Sequence, residues 1–131
     1  MDLMDSLYDH IAAEMPFLKL GYLGLEESLV MYPLPGSQTI VQFQDGSSDE
    51  RLLYEIAYKS KSQQKIVDTM WQLTELLSHT DSLGGQGNSF QFISLQVTNL
   101  PFLNSLDQQG YYTYLLDFSV EATILEKENV K

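Results

Sequence analysis

A chain of 131 residues with 44% hydrophobic and 19% charged residues has the composition of one folded domain rather than of a disordered segment. The absence of cysteine excludes disulfide staples, thiolate zinc sites and cysteine nucleophiles. A net charge of -11 argues against a surface that grips nucleic acid, because such a grip needs cations to displace counterions from phosphate.

No apolar run approaches a membrane span. The acidic start Met1-Asp2-Leu3-Met4-Asp5 lacks the basic n-region of a signal peptide. The chain is therefore expected to stay in the cytoplasm that makes it, or to be built into a particle there.

In chain order, residues 2–15 read as a helix. Leu7, Ile11 and Met15 continue a stripe begun by Leu3 or Met4, and Pro16 stops it. Residues 17–25 are apolar but interrupted by Gly21 and Gly24, so a bent connection is expected. Residues 28–32 and 38–44 read as short strands around the turn signal Pro33-Leu34-Pro35-Gly36. Residues 45–50 read as a polar loop opened by Asp45-Gly46.

The stretch 51–77 organises the rest. Leu52, Tyr54, Ile56 and Tyr58 alternate with Leu53, Glu55, Ala57 and Lys59, as in a strand. Ser60-Lys61-Ser62-Gln63 fits a capping box with Ser60 as the N-cap. Ile66, Met70, Leu73 and Leu77 then form a helical stripe, giving ~27 Å of amphipathic helix.

The glycine-rich residues 78–88 read as an exposed loop. Residues 89–98 read as a strand whose alternation shifts near Ile93, which suggests a bulge or burial on both sides. Asn99-Leu100-Pro101 is expected to break it, leaving 102–109 as a second polar loop. The last strand alternates cleanly from Tyr111 to Ile124, spanning ~46 Å. That length requires it to serve two sheets or to run past its own domain, since ordinary strands span ~17–20 Å. Residues 126–131 read as a frayed tail of a single domain covering 1–131. The expected fold is α+β: a mostly antiparallel mixed sheet of about five strands, packed by an N-terminal helix and one long central helix, in the order α-β-β-β-α-β-β.

Little in the chain signals chemistry. His10 and His79 are isolated, and no metal-spaced cluster accompanies them. Gly84-Gly85-Gln86-Gly87 follows a helix and opens a strand, the reverse of a phosphate-binding loop. Asp117 and Glu121 share a strand face but lie ~13 Å apart, too far for a glycosidase pair. No cofactor is expected. Lys59, Lys61 and Lys65 stand out as a basic spot on an acidic molecule. They are either surface lysines with stems lying over the sheet or a contact for the acidic surface of an identical neighbour.

The layout resembles the tail terminator proteins of long-tailed bacteriophages and prophages, a group often labelled minor capsid or tail completion proteins. The resemblance rests on the strand 52–56 running into Tyr58-Lys59-Ser60-Lys61-Ser62-Gln63-Gln64-Lys65, and on the run Ile93 to Leu103. The step Gly110-Tyr111-Tyr112 into Tyr114-Leu115-Leu116-Asp117-Phe118-Ser119-Val120 completes it. The resemblance implies a non-enzymatic homohexameric ring on the head-proximal end of the tail tube. Such a ring would stop tube growth and meet a neck or head-completion protein, with DNA passing through without tight binding. On that view Lys59, Lys61 and Lys65 are candidates for the subunit interface. Asp45, Asp49, Glu50, Gly84, Gly85, Gly87, Asn104 and Asp107 are candidates for exposed contact loops. The alternatives are a head-completion or stopper protein of the neck, and a monomeric α+β domain binding a small ligand between the long helix and the sheet.

Overall fold

The computed structural model describes residues 2–83 and 90–125. Gly84, Gly85 and Gly87, and the tail from 126 onward, lie outside the described residues. The fold is α+β: among the described residues, two helices pack on one face of a six-stranded mixed sheet.

Helix α1 (Asp2–Ala12) buries Leu3, Leu7 and Ile11. It ends three residues before the expected stop. Met15 extends the buried stripe from a turn in which its amide donates to the Ile11 carbonyl. Helix α2 (Gln63–Ser78) buries the expected stripe Ile66, Met70, Leu73 and Leu77 completely, and adds Thr69 and Thr74. The Thr74 hydroxyl donates to the Met70 carbonyl, so it enters the core without an unmet hydrogen bond.

The strands are β1 (Leu18–Leu20), β2 (Ser28–Pro33), β3 (Gln38–Gln42), β4 (Ser48–Ser60), β5 (Phe90–Leu106) and β6 (Tyr112–Ile124). The main path through the sheet is β1-β2-β4-β6-β5. β4 pairs with β6 over its whole length, from Ser48 opposite Ile124 to Ser60 opposite Tyr112. Its other edge is shared, with β3 beside residues 48–51 and β2 beside residues 54–59. Pro33 sits at the end of β2, beyond the three residues that β1 covers, so its missing N–H disturbs no ladder on that side.

Four expectations are corrected. The bent connection holds a strand, β1, parallel to β2 and followed by Gly21 at φ 128. Three residues carry no readable alternation, and only their tertiary pairing makes them a strand. The loop at 45–50 ends at Ser47, because Ser48, Asp49 and Glu50 already pair with both β3 and β6. Asn99-Leu100-Pro101 does not end β5, which continues to Leu106 and takes Asn104 into the strand. β5 is an edge strand with register shifts at four places, and an edge with bulges tolerates a residue that cannot donate. One shift lies between Phe92 and Ser94, where the alternation changes in the sequence. Finally, β6 serves one sheet. Its 13 residues are matched by the 13 of β4 and the 17 of β5.

The two sheet faces differ. Tyr54, Ile56, Tyr58, Leu116, Phe118 and Val120 meet the helices in a single core. The opposite face carries Arg51, Leu53, Glu55 and Lys59 of β4 against Glu121, Ser119, Asp117 and Thr113 of β6. Neither helix covers it.

Candidate functional site

The basic spot sits where β4 turns into α2. Ser60 is fully buried and still paired with Tyr112, so it cannot open the helix. The N-cap is Ser62, two residues later, whose hydroxyl accepts from the Lys65 amide at 3.2 Å. Ser60 instead accepts from the Ser62 amide at 3.1 Å and donates to Glu27 Oε1 at 2.9 Å. Gln63 donates to the Tyr114 hydroxyl rather than closing a capping box.

This arrangement divides the three lysines. Lys65 Nζ lies 2.6 Å from Glu27 Oε2 and holds that carboxyl below its usual range. The pair offsets the unfavourable placement of a cation near the helix N-terminus. Lys59 and Lys61 go elsewhere. Their ammonium groups stand 5.0 and 5.1 Å from the centroid of the Tyr111 ring, within reach of its π face. Lys59 also donates to the Gly24 carbonyl at 3.1 Å. Thus two lysines converge on one tyrosine at the end of the β5–β6 hairpin, while the third is neutralised.

The expected contact loops also separate. Asp45 is exposed in a tight turn after β3. Its Oδ1 accepts from the Ser47 hydroxyl at 2.6 Å and the Ser47 amide at 2.9 Å, which lowers its pKa. Asp107 does the same in the β5–β6 turn, accepting from the amides of Gln109 and Tyr111 at 2.9 and 3.0 Å. The Tyr111 amide leads in lowering its pKa. Asp49 and Glu50 are half-buried in β4, where Asp49 accepts from Thr123 and Glu50 accepts from Ser48. Asn104 is exposed on β5.

The structure brings together a group of residues that sequence reasoning did not assemble. Tyr32 of β2, Glu55 of β4, Asp117 of β6 and Asn99 of β5 stand side by side in register on the face free of helices. The Tyr32 hydroxyl donates to Glu55 Oε1, and Asn99 Nδ2 donates to Asp117 Oδ2 at 2.8 Å. The Tyr22 ring stacks on Tyr32 with centroids 5.0 Å apart. Asp117 Oδ1 is buried and has no donor as long as Glu55 is ionised. Desolvation, followed by the hydrogen bond to Asp117, pushes the Glu55 carboxyl up to about 7. A proton held on Glu55 supplies the donor that Asp117 lacks. Burial, then the bond to Glu55, drives the Tyr32 phenol upward, so it remains a donor. The signal was a Glu and an Asp inside apolar, aromatic strands. The sequence placed Asp117 and Glu121 on one strand face but too far apart to act together, and Glu121 is held by Arg51, at 2.8 Å.

The histidines have structural partners. His10 Nε2 lies 2.9 Å from Thr80 Oγ1, whose own proton goes to the Leu76 carbonyl, so the imidazole is the donor. His79 caps the C-terminus of α2 with its ring nitrogen near the Glu75 carbonyl. Among the described residues, no group of three or more His, Asp or Glu is arranged to hold a metal, and no helix is long and apolar enough to cross a membrane. A groove of about 560 Å³ lies between Phe17, Lys19, Glu27, Val30, Tyr58 and Lys65 at the β1–β2 margin. That is beside the start of α2, not between the long helix and the sheet. Its floor is apolar, and its lysine and glutamate on the α2 side are already paired with each other.

Comparison with known families gives a match to the model described as bacteriophage tail terminator protein, over residues 13–124. No curated protein matches the chain.

Proposed function

Because the chain belongs to the bacteriophage tail terminator family and is thereby a structural protein of the phage tail, we propose that it forms a homohexameric ring on the head-proximal end of the tail tube. The ring stops tube polymerisation and presents its other side to a neck or head-completion protein. The observation that carries this reading is the family match over 13–124, which takes in every strand and the long helix. The net charge of -11 supports it, since an anionic channel repels phosphate and lets DNA slide. The role is architectural and needs no cofactor.

Lys59, Lys61 and Lys65 were candidates for the subunit contact. Lys59 and Lys61 retain that role in the proposal, because Lys65 is engaged by Glu27. Deleting the gene should give tails of uncontrolled length and heads left unjoined, seen by negative-stain microscopy of the lysate. Normal virions from the deletion strain would refute the reading. Purified protein added to bare tubes should appear as a ring at one end only.

A further inference from the structure

Two margins of the sheet expose apolar side chains that the fold itself does not use. All five residues of β3 are exposed, and Ile40, Val41 and Phe43 each keep over two-fifths of their surface in solvent. At the opposite margin, Leu100, Leu103 and Leu106 of β5 are each about half exposed or more, at 57%, 49% and 55%. β3 pairs only with β4, and β5 only with β6, so among the described residues each has a free edge. Free edges with exposed apolar residues are templates for another chain.

The charges at the two margins differ: the β3 margin is acidic, whereas the end of the β5–β6 hairpin carries Lys59 and Lys61 beside the exposed Asp107. β3 leads into the exposed Asp45 turn, with Asp49 and Glu50 on the adjoining strand. β5 leads into the hairpin end where Lys59 and Lys61 flank Tyr111. Neither lysine forms an ion pair among the described residues. On a molecule of net charge -11, most approaches of one copy to another are repulsive. Pairing β3 with β3 would oppose two acidic turns. Pairing β5 with β5 would oppose two lysine pairs and place two prolines in one ladder. The unlike pairing joins apolar to apolar and sets the acidic end of the β3 margin against Lys59 and Lys61, which outnumber Asp107 at the hairpin end.

We infer that the β3 margin of one copy, through Val41, Phe43 and Asp45, docks on the β5 margin of the next, through Leu103, Leu106 and Lys61. The inference rests on the ring reading and supplies its contact. Because the two margins lie on opposite sides of one sheet, the contact is head-to-tail. It leaves a free margin at each end of every partial assembly, and a closed ring satisfies all of them.

The chain has no cysteine, so a single introduced thiol reports one position. Val41→Cys and Leu103→Cys are prepared as separate proteins, both at exposed sites, and each is checked for an unchanged thermal midpoint. Each alone, and then an equimolar mixture, is treated with a short bismaleimide, while wild-type protein is imaged on tail tubes in parallel. The expected result is a crosslinked dimer in the mixture and none in either protein alone. Adding Lys61→Glu to the Leu103→Cys protein should cut the yield severalfold. Dimers within one variant, or no crosslink although wild type forms rings, would overturn the docking surface and leave the ring reading standing. No crosslink and no rings would remove both.

Discussion

Replacing Glu55 with glutamine tests the carboxylate pair directly. In the open chain this carboxyl titrates near 4.5, and in the folded protein near 7. Between those values the folded state holds a proton that the unfolded state has released. The stability it confers is fully present below pH 4.5 and declines as pH rises through about 7. At ~1.36 kcal/mol per pH unit, the whole interval amounts to at most about 3 kcal/mol. Because Glu55 is only half-buried, solvent screening reduces this to roughly 1–2 kcal/mol. Glutamine mimics the protonated acid. Its carbonyl accepts from Tyr32, and its amide donates to Asp117 Oδ1, which otherwise has no donor. Urea unfolding of wild type and Glu55→Gln at pH 5, 6, 7 and 8 is the assay. The two should agree near pH 5, and the variant should be more stable by roughly 1–2 kcal/mol at pH 8. Other titrating groups cancel in the difference. Stability curves that stay parallel across this range would refute a shared proton between Glu55 and Asp117.

Further substitutions have definite expected outcomes. Ser62→Ala should lower stability by about 1 kcal/mol through loss of the N-cap, measured by urea unfolding. Ser60→Ala acts through a different loss, because it leaves a Glu27 oxygen without its 2.9 Å donor while the cap persists. Met70→Asp should prevent folding, judged by far-UV circular dichroism and hydrogen exchange, since Met70 is completely buried and an unpaired carboxylate there costs several kcal/mol. Lys61→Glu should weaken ring assembly on tubes and leave the thermal midpoint unchanged, whereas Lys65→Glu should lower the midpoint because it sets a second carboxylate against Glu27.

The sequence alone determined the elements whose signal is local. The stripes Leu3-Leu7-Ile11 and Ile66-Met70-Leu73-Leu77 are buried as their spacing demands, and β6 begins and ends within a residue of its alternation. Helical and strand periodicity are set by each element's own residues facing one core, so they survive without knowledge of neighbours. The layout was enough to suggest the terminator family, and the match over 13–124 agrees. Tertiary structure decided everything that depends on which strands are neighbours. It made a strand of Leu18–Leu20, carried β5 through Pro101 because the strand lies at an edge, and moved the N-cap from Ser60 to Ser62 because Ser60 remains in the β4–β6 ladder. It divided the lysines between Glu27 and Tyr111. It also set Tyr32, Glu55, Asp117 and Asn99, four residues from four strands, in one row. Strand register is a long-range property. A shift of one residue would turn each of these side chains to the opposite face, and only packing of the whole sheet against α1 and α2 fixes it.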